Sequence, residues 1–190
     1  ALIGQITLSS ESTLKGEIWT VMVKVGDGTD VSATALSANV TIVNSAPTVS
    51  VILSSNVTAL GPLDLTITTD DADGDVVETE VLWYRNGFLE GSLTGEITVP
   101  NQLLGPGQTW AAHVTPTDSE SAPGAIGIET ITVLNIEPEA RIEVQSESIW
   151  IGEWATLDAT QSSDVDGIIV EATWSWIDTA GTAGSDFGFN

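Results

Sequence analysis

The chain has 190 residues, 42% of them hydrophobic, and a formal net charge of −23 on a charged fraction of only 16%. That is enough apolar material for one large or two small domains with real cores. Lys15, Lys24, Arg85 and Arg141 are the only bases against 27 acids, a balance that excludes nucleic acid and anionic membrane as partners, since both select for basic patches. The same acidity repels itself unless salt or bound cations screen it, which points to salty or calcium-rich, extracellular surroundings. With no cysteine there is no disulfide framework, thiolate zinc site or cysteine nucleophile. No run of 18 apolar residues offers a membrane span.

In chain order the predicted elements are all strands: short runs rich in Thr, Val and Ile, bounded by Gly, Pro, Asn or Asp. The stretch "GEIWTVMVKVGDG" from 16 alternates so that Trp19, Val21, Val23 and Val25 share one face. After "NSAP", ending at Pro47, come strands at 48–55 (A), 63–70 (B) and 78–85 (C), then an E-type strand at 93–99, F at 109–117 and G at 127–135. In F, Trp110, Ala112 and Val114 face inward, and Trp83 on C packs between the sheets. A second joint, "NIEP", ends at Pro138. Asn tolerates the turn there and Pro opens the next strand.

The pattern repeats. "GEIWTVMVKVGDG" from 16 lies without a gap over "GQTWAAHVTPTDS" from 107, which places Trp19 and Trp110 91 residues apart. The same spacing relates Val23 to Val114, Asp27 to Asp118, Asn44 to Asn135, Pro47 to Pro138 and Trp83 to Trp174, with a local shift of two where "DADG" from 71 meets "DVDG" from 164. A unit of about 91 residues with some seven short strands fits an immunoglobulin-like sandwich. The expected fold class is therefore all-β, as tandem immunoglobulin-like sandwiches.

The stretch "GEWATLDATQSSDVDGIIVEATWSW" from 152 resembles the start of polycystic-kidney-disease-type (PKD) repeats. The middle unit, with "DADGDVVETEVLWYRNG", is similar to the broader PKD and cadherin-like tandem repeats of bacterial and archaeal surface proteins. The glycine-aspartate turn that follows the Trp strand in PKD repeats is replaced here by Ile177, Asp178 and Thr179. The phase of the repeat divides the chain into residues 1–47, the E-F-G half of a domain; 48–138, a complete domain; and 139–190, an A-B-C half. Neither half buries its apolar face alone. Two arrangements remain open: an excerpt of a longer array, or subunits in which residues 139–190 are completed by residues 1–47 of a neighbour. The latter builds a head-to-tail polymer.

The B-C and F-G loops of such a sandwich share a pole, so Asp71, Asp73 and Asp75 are expected to meet Asp118 and Glu120 there. Calcium takes six to eight oxygens from flexible loops, and Gly74 supplies a sharp turn. The resemblance also implies a calcium site in this loop. The competing view is that these aspartates cap turns and keep an acidic surface wet. Asp164 and Asp166 form a second candidate site, completed in a polymer by Asp27 and Asp30 of the adjoining subunit. Trp150, Trp154 and Trp176 are either core residues or a sugar-stacking platform. His113, the single histidine, is expected on the exposed side of strand F, which disfavours a Ser-His-Asp site. No catalytic motif is present, so the chain is expected not to be an enzyme.

These observations predict an extracellular structural protein: a calcium-stiffened filament, sheath, S-layer or adhesive array that self-associates head to tail and meets cell-surface glycans. The alternative is a polysaccharide-binding or spacer module of a secreted hydrolase.

Overall fold

A computed structural model describes residues 7–188. The fold is all-β: fifteen strands and three single turns of 3-10 helix among the described residues. The strands are β1 (Ile18–Trp19), β2 (Met22–Val23), β3 (Ala35–Leu36), β4 (Val40–Thr41), β5 (Thr48–Leu53), β6 (Leu63–Asp70), β7 (Val77–Arg85) and β8 (Phe88–Leu89). They continue as β9 (Thr98–Val99), β10 (Thr109–Asp118), β11 (Gly127–Thr132), β12 (Glu143–Val144), β13 (Leu157–Asp158), β14 (Ala172–Ile177) and β15 (Ala183–Gly188). The largest sheet has the order β11-β10-β7-β8, and a second has the order β5-β6-β9. Four two-stranded antiparallel pairs complete the set: β1-β4, β2-β3, β12-β13 and β14-β15.

The expected strands A, B, C, F and G correspond to β5, β6, β7, β10 and β11 within a few residues. The E-type strand is much shorter than 93–99. Residues Gly91–Leu93 wind into a 3-10 turn and the strand is confined to Thr98–Val99, with Leu63 opposite Val99. A hairpin joins β7 to β8, with Tyr84 opposite Leu89. Its turn places Asn86 at φ 51° and Gly87 at φ 83°, the left-handed pair that an Asn-Gly hairpin requires.

The chain forms two compact units. Unit 1 comprises Ala1–Val51, Ile67–Val81 and His113–Ile128; unit 2 comprises Ile52–Thr66, Leu82–Ala112 and Glu129–Asn190. Chain continuity carries β5, β6, β7, β10 and β11 from one to the other.

Unit 2 holds most of the buried apolar residues, among them Leu53, Leu63, Val99, Trp110 and Val133. Trp83 and Trp110 are both 0% exposed and meet edge to face, their ring centroids 6.3 Å apart at 74°, the geometry that aromatic quadrupoles favour. Each indole N–H is satisfied, Trp83 donating to the Glu96 carbonyl and Trp110 to Gln108 Oε1. The Arg85 guanidinium lies 5.6 Å from the Trp110 ring centroid and pairs with Glu90.

Unit 1 buries Val81, Val114, Pro47 and Pro116. Gly124 lies against them so closely that a Cβ there would sit 1.9 Å from the Pro47 carbonyl oxygen. The face expected to turn inward around β1 and β2 is not covered: Val21, Val23 and Val25 are 53%, 51% and 48% exposed. Two-residue strands in isolated pairs have no opposing sheet to shield them. The segment around β12–β15 in unit 2 behaves likewise, with Trp150 82%, Ile151 107% and Trp154 94% exposed. Among the described residues no helix is long and apolar enough to cross a membrane.

Candidate metal centre

Strand alternation creates the site in unit 1. Along β10 every second residue from Trp110 is buried, and this period of two ends on Asp118. The last inward position therefore carries a carboxylate, only 5% exposed. Burying a charge needs compensation. Asp118 Oδ1 accepts the N–H groups of Glu120 and Ala122, each at 2.9 Å, and Oδ2 accepts from Asn44 Nδ2 at 2.6 Å. These bonds, led by that from Ala122 and aided by the nearby Lys15 ammonium, hold the Asp118 carboxyl below the usual range.

The loop after β6 brings Asp71 and Asp75 to the same place. Asp71 Oδ1 accepts the N–H groups of Asp73 and Asp75, and Gly74, at φ 77°, closes the turn. One carboxylate oxygen from each of Asp71, Asp75 and Asp118 lies within 4.8 Å of the others. Around calcium, ligand oxygens at ~2.3–2.6 Å span such separations. Asp71 Oδ2 is buried without a hydrogen-bond partner, an orphan that a bound cation would satisfy. Three hard oxygens with an unsatisfied lone pair fit calcium or magnesium and offer nothing to a soft metal.

The other two acids expected at this pole are engaged by other groups. Asp73 Oδ2 accepts the Ser45 N–H at 2.6 Å. Glu120 pairs with Lys15, whose Nζ is 2.8 Å from Glu120 Oε1, 2.5 Å from Asp75 Oδ2 and 3.1 Å from Asn44 Oδ1. These bonds to Asp75 and Glu120 raise the Lys15 pKa above its ordinary value. Reasoning from the acids alone missed Lys15, Asn44 and Ser45. The scarcity of bases was the available signal, since one of four in a field of 27 acids must find carboxylates.

The second candidate set is divided between the units. In unit 2, Asp164 Oδ1 accepts from the N–H groups of Asp166 and Gly167, and Asp166 accepts from the Ile136 N–H. In unit 1, Asp27 Oδ1 accepts from the N–H groups of Thr29 and Asp30, which lowers the Asp27 pKa. Asp27 and Asp164 thus close their own turns, whereas Asp166 ties its loop to Ile136, 30 residues earlier. His113, expected on the exposed side of strand F, is half-buried on β10. Trp150 and Trp154 stand in solvent, whereas the Trp176 ring lies over Gly184.

No protein-family model matches the chain, and no curated protein is significantly similar to it.

Proposed function

We propose that this chain is an extracellular structural protein of tandem immunoglobulin-like, PKD-like domains that assembles copy to copy, as a surface filament, sheath or S-layer-like array stiffened by calcium. The observation that carries the reading is the contrast in burial between corresponding positions. Val99, Ala112 and Val114 are each 0% exposed, whereas Leu8, Val21 and Val23, 91 residues earlier, are 55%, 53% and 51% exposed. Apolar faces of this extent mark surfaces meant to be covered.

Matched hydrogen bonds support the 91-residue repeat. Gly16 donates to the Ile42 carbonyl and Ile42 to Glu17; Gly107 donates to Val133 and Val133 to Gln108. Glu17 accepts from the Leu14 N–H and the Trp19 indole, just as Gln108 accepts from the Gly105 N–H and the Trp110 indole. Asp73 caps Ser45, and Asp166 caps Ile136. On this basis residues 48–138 make one repeat unit, and residues 1–47 and 139–190 carry parts of neighbouring units. Divalent cations at Asp71, Asp75 and Asp118 would stiffen the joint that Ser45 and Asn44 enter, and would offset the self-repulsion of a −23 chain.

Sedimentation velocity in calcium tests the proposal. Mass that grows with protein concentration is expected; a concentration-independent monomer would overturn it. The exposure of Trp150 and Trp154 favours one further reading, a polysaccharide-binding module, in which these rings stack on sugars. Retention on immobilised polysaccharide by a chain that stays monomeric would favour that alternative.

A further inference from the structure

Four Asx-Gly dipeptides punctuate the chain: Asp27-Gly28, Asp73-Gly74, Asn86-Gly87 and Asp166-Gly167. In such pairs the glycine nitrogen, unhindered by a β-carbon, can attack the side-chain carbonyl carbon of the residue before it, the chemistry that makes asparagine thermolabile. The fold treats the four differently. The Gly74 N–H is held by the Asp71 carbonyl and the Gly167 N–H by Asp164 Oδ1. Asp27 presents a carboxylate, kept ionised by the Asp30 and Thr29 N–H groups, and a carboxylate resists nucleophiles. Asn86 alone of the four offers a neutral amide, and the Gly87 N–H beside it has no hydrogen-bond partner among the described residues. Both residues are exposed, and a Cβ at Gly87 would meet nothing within 4 Å, so water and hydroxide reach the turn. The Thr109 N–H donates to Asn86 Oδ1 at 2.9 Å, which polarises the carbonyl under attack. The next candidate, Asn44-Ser45, is closed: the Ser45 N–H is given to Asp73, and both ends of the Asn44 amide are bound, to Lys15 and to Asp118.

We propose that Asn86-Gly87 is a self-modification site, at which the folded chain loses ammonia and ends partly as isoaspartate. Hydroxide removes the Gly87 amide proton, the nitrogen bonds to Asn86 Cγ, and the Cγ–Nδ2 bond breaks to release ammonia, leaving a cyclic succinimide. Water then opens either ring carbonyl, giving aspartate or isoaspartate. Aspartate keeps an oxygen for the Thr109 N–H. Isoaspartate adds a methylene to the main chain of a two-residue turn, which breaks the register of Arg85 with Phe88 and the 2.7 Å bond from the Asn86 N–H to the Thr109 carbonyl. Arg85 lies over the Trp110 ring and pairs with Glu90, so the change reaches the buried tryptophan. The site stands independently of the assembly reading.

The test incubates the full chain in mildly alkaline buffer, folded and in urea, and follows each asparagine by peptide mass mapping. In the folded chain Asn86 is expected to convert before every other asparagine, at a rate proportional to hydroxide, with isoaspartate among the products and Asn44 intact. In urea, where its partners are lost, Asn44 is expected to convert as well. Asn86→Asp is expected to keep the parent's tryptophan emission and unfolding midpoint, whereas the isoaspartate fraction, separated by ion exchange, is expected to show shifted emission and a lower midpoint. Conversion of Asn86 in urea alone would overturn the proposal, because the hairpin would then protect the amide. A folded chain in which another asparagine converts first would overturn it equally. An isoaspartate fraction as stable as Asn86→Asp would overturn the link to Arg85 and Trp110.

Discussion

The Lys15 ammonium lies 2.5 Å from Asp75 Oδ2, inside the one group of three carboxylates with metal-binding geometry among the described residues. A fixed monovalent cation therefore partly neutralises the place where a divalent one would bind. The two charges compete for Asp75.

Removing that competitor should strengthen binding. Lys15→Met is expected to raise calcium affinity by about 1.4- to fivefold, the scale of a partly exposed ion pair. Titration calorimetry at low ionic strength measures it. Unchanged affinity would mean that calcium does not use Asp75.

Asp118 makes stability at this site depend on pH in one direction. Its carboxyl is held below the ordinary value of 3.8, so in the calcium-free protein its contribution is complete above that value and disappears as pH falls through the depressed one. Asp118→Ala leaves the Glu120 and Ala122 N–H groups unpaired and should cost about 1–3 kcal/mol at neutral pH. Urea unfolding at pH 7 and pH 2.5 checks both: the gap between variant and parent should narrow in acid.

Gly124 is required by space rather than by backbone twist. A Cβ would meet the Pro47 carbonyl oxygen at 1.9 Å and Pro116 Cγ at 2.9 Å, and the first of these is backbone that cannot rotate away. Gly124→Ala is expected to destabilise by at least ~1–3 kcal/mol. Gly61→Ala, with no atom within 4 Å of its Cβ, should be nearly neutral. Thermal midpoints compare the pair.

The tryptophans divide by burial. Trp110→Ala should cost ~3–5 kcal/mol, the loss expected for an aromatic removed from a packed core. Trp150→Ser, at a side chain 82% exposed, should leave the unfolding midpoint of the dispersed chain unchanged, as read by denaturant titration.

How much of this was legible in the sequence depended on periodicity. The alternation of β10 placed Trp110, Ala112 and Val114 inward correctly, because a period of two is a local property of a strand. The same alternation in residues 19–25 identified an apolar face but could not supply its cover, which is a matter of tertiary partners. Of five acids expected at one pole, Asp71, Asp75 and Asp118 converge. Asp73 and Glu120 bond to a Ser45 N–H and a Lys15 ammonium. Their positions in sequence, 28 and 105 residues away respectively, give no local sign of those contacts.

Negative-stain microscopy of the full chain, in calcium and again after chelation, tests the central claim most directly. The account predicts filaments in calcium that shorten or disperse when the cation is removed. Dispersed single particles in calcium at every concentration, with the tryptophan emission still that of solvent-exposed rings, would contradict it.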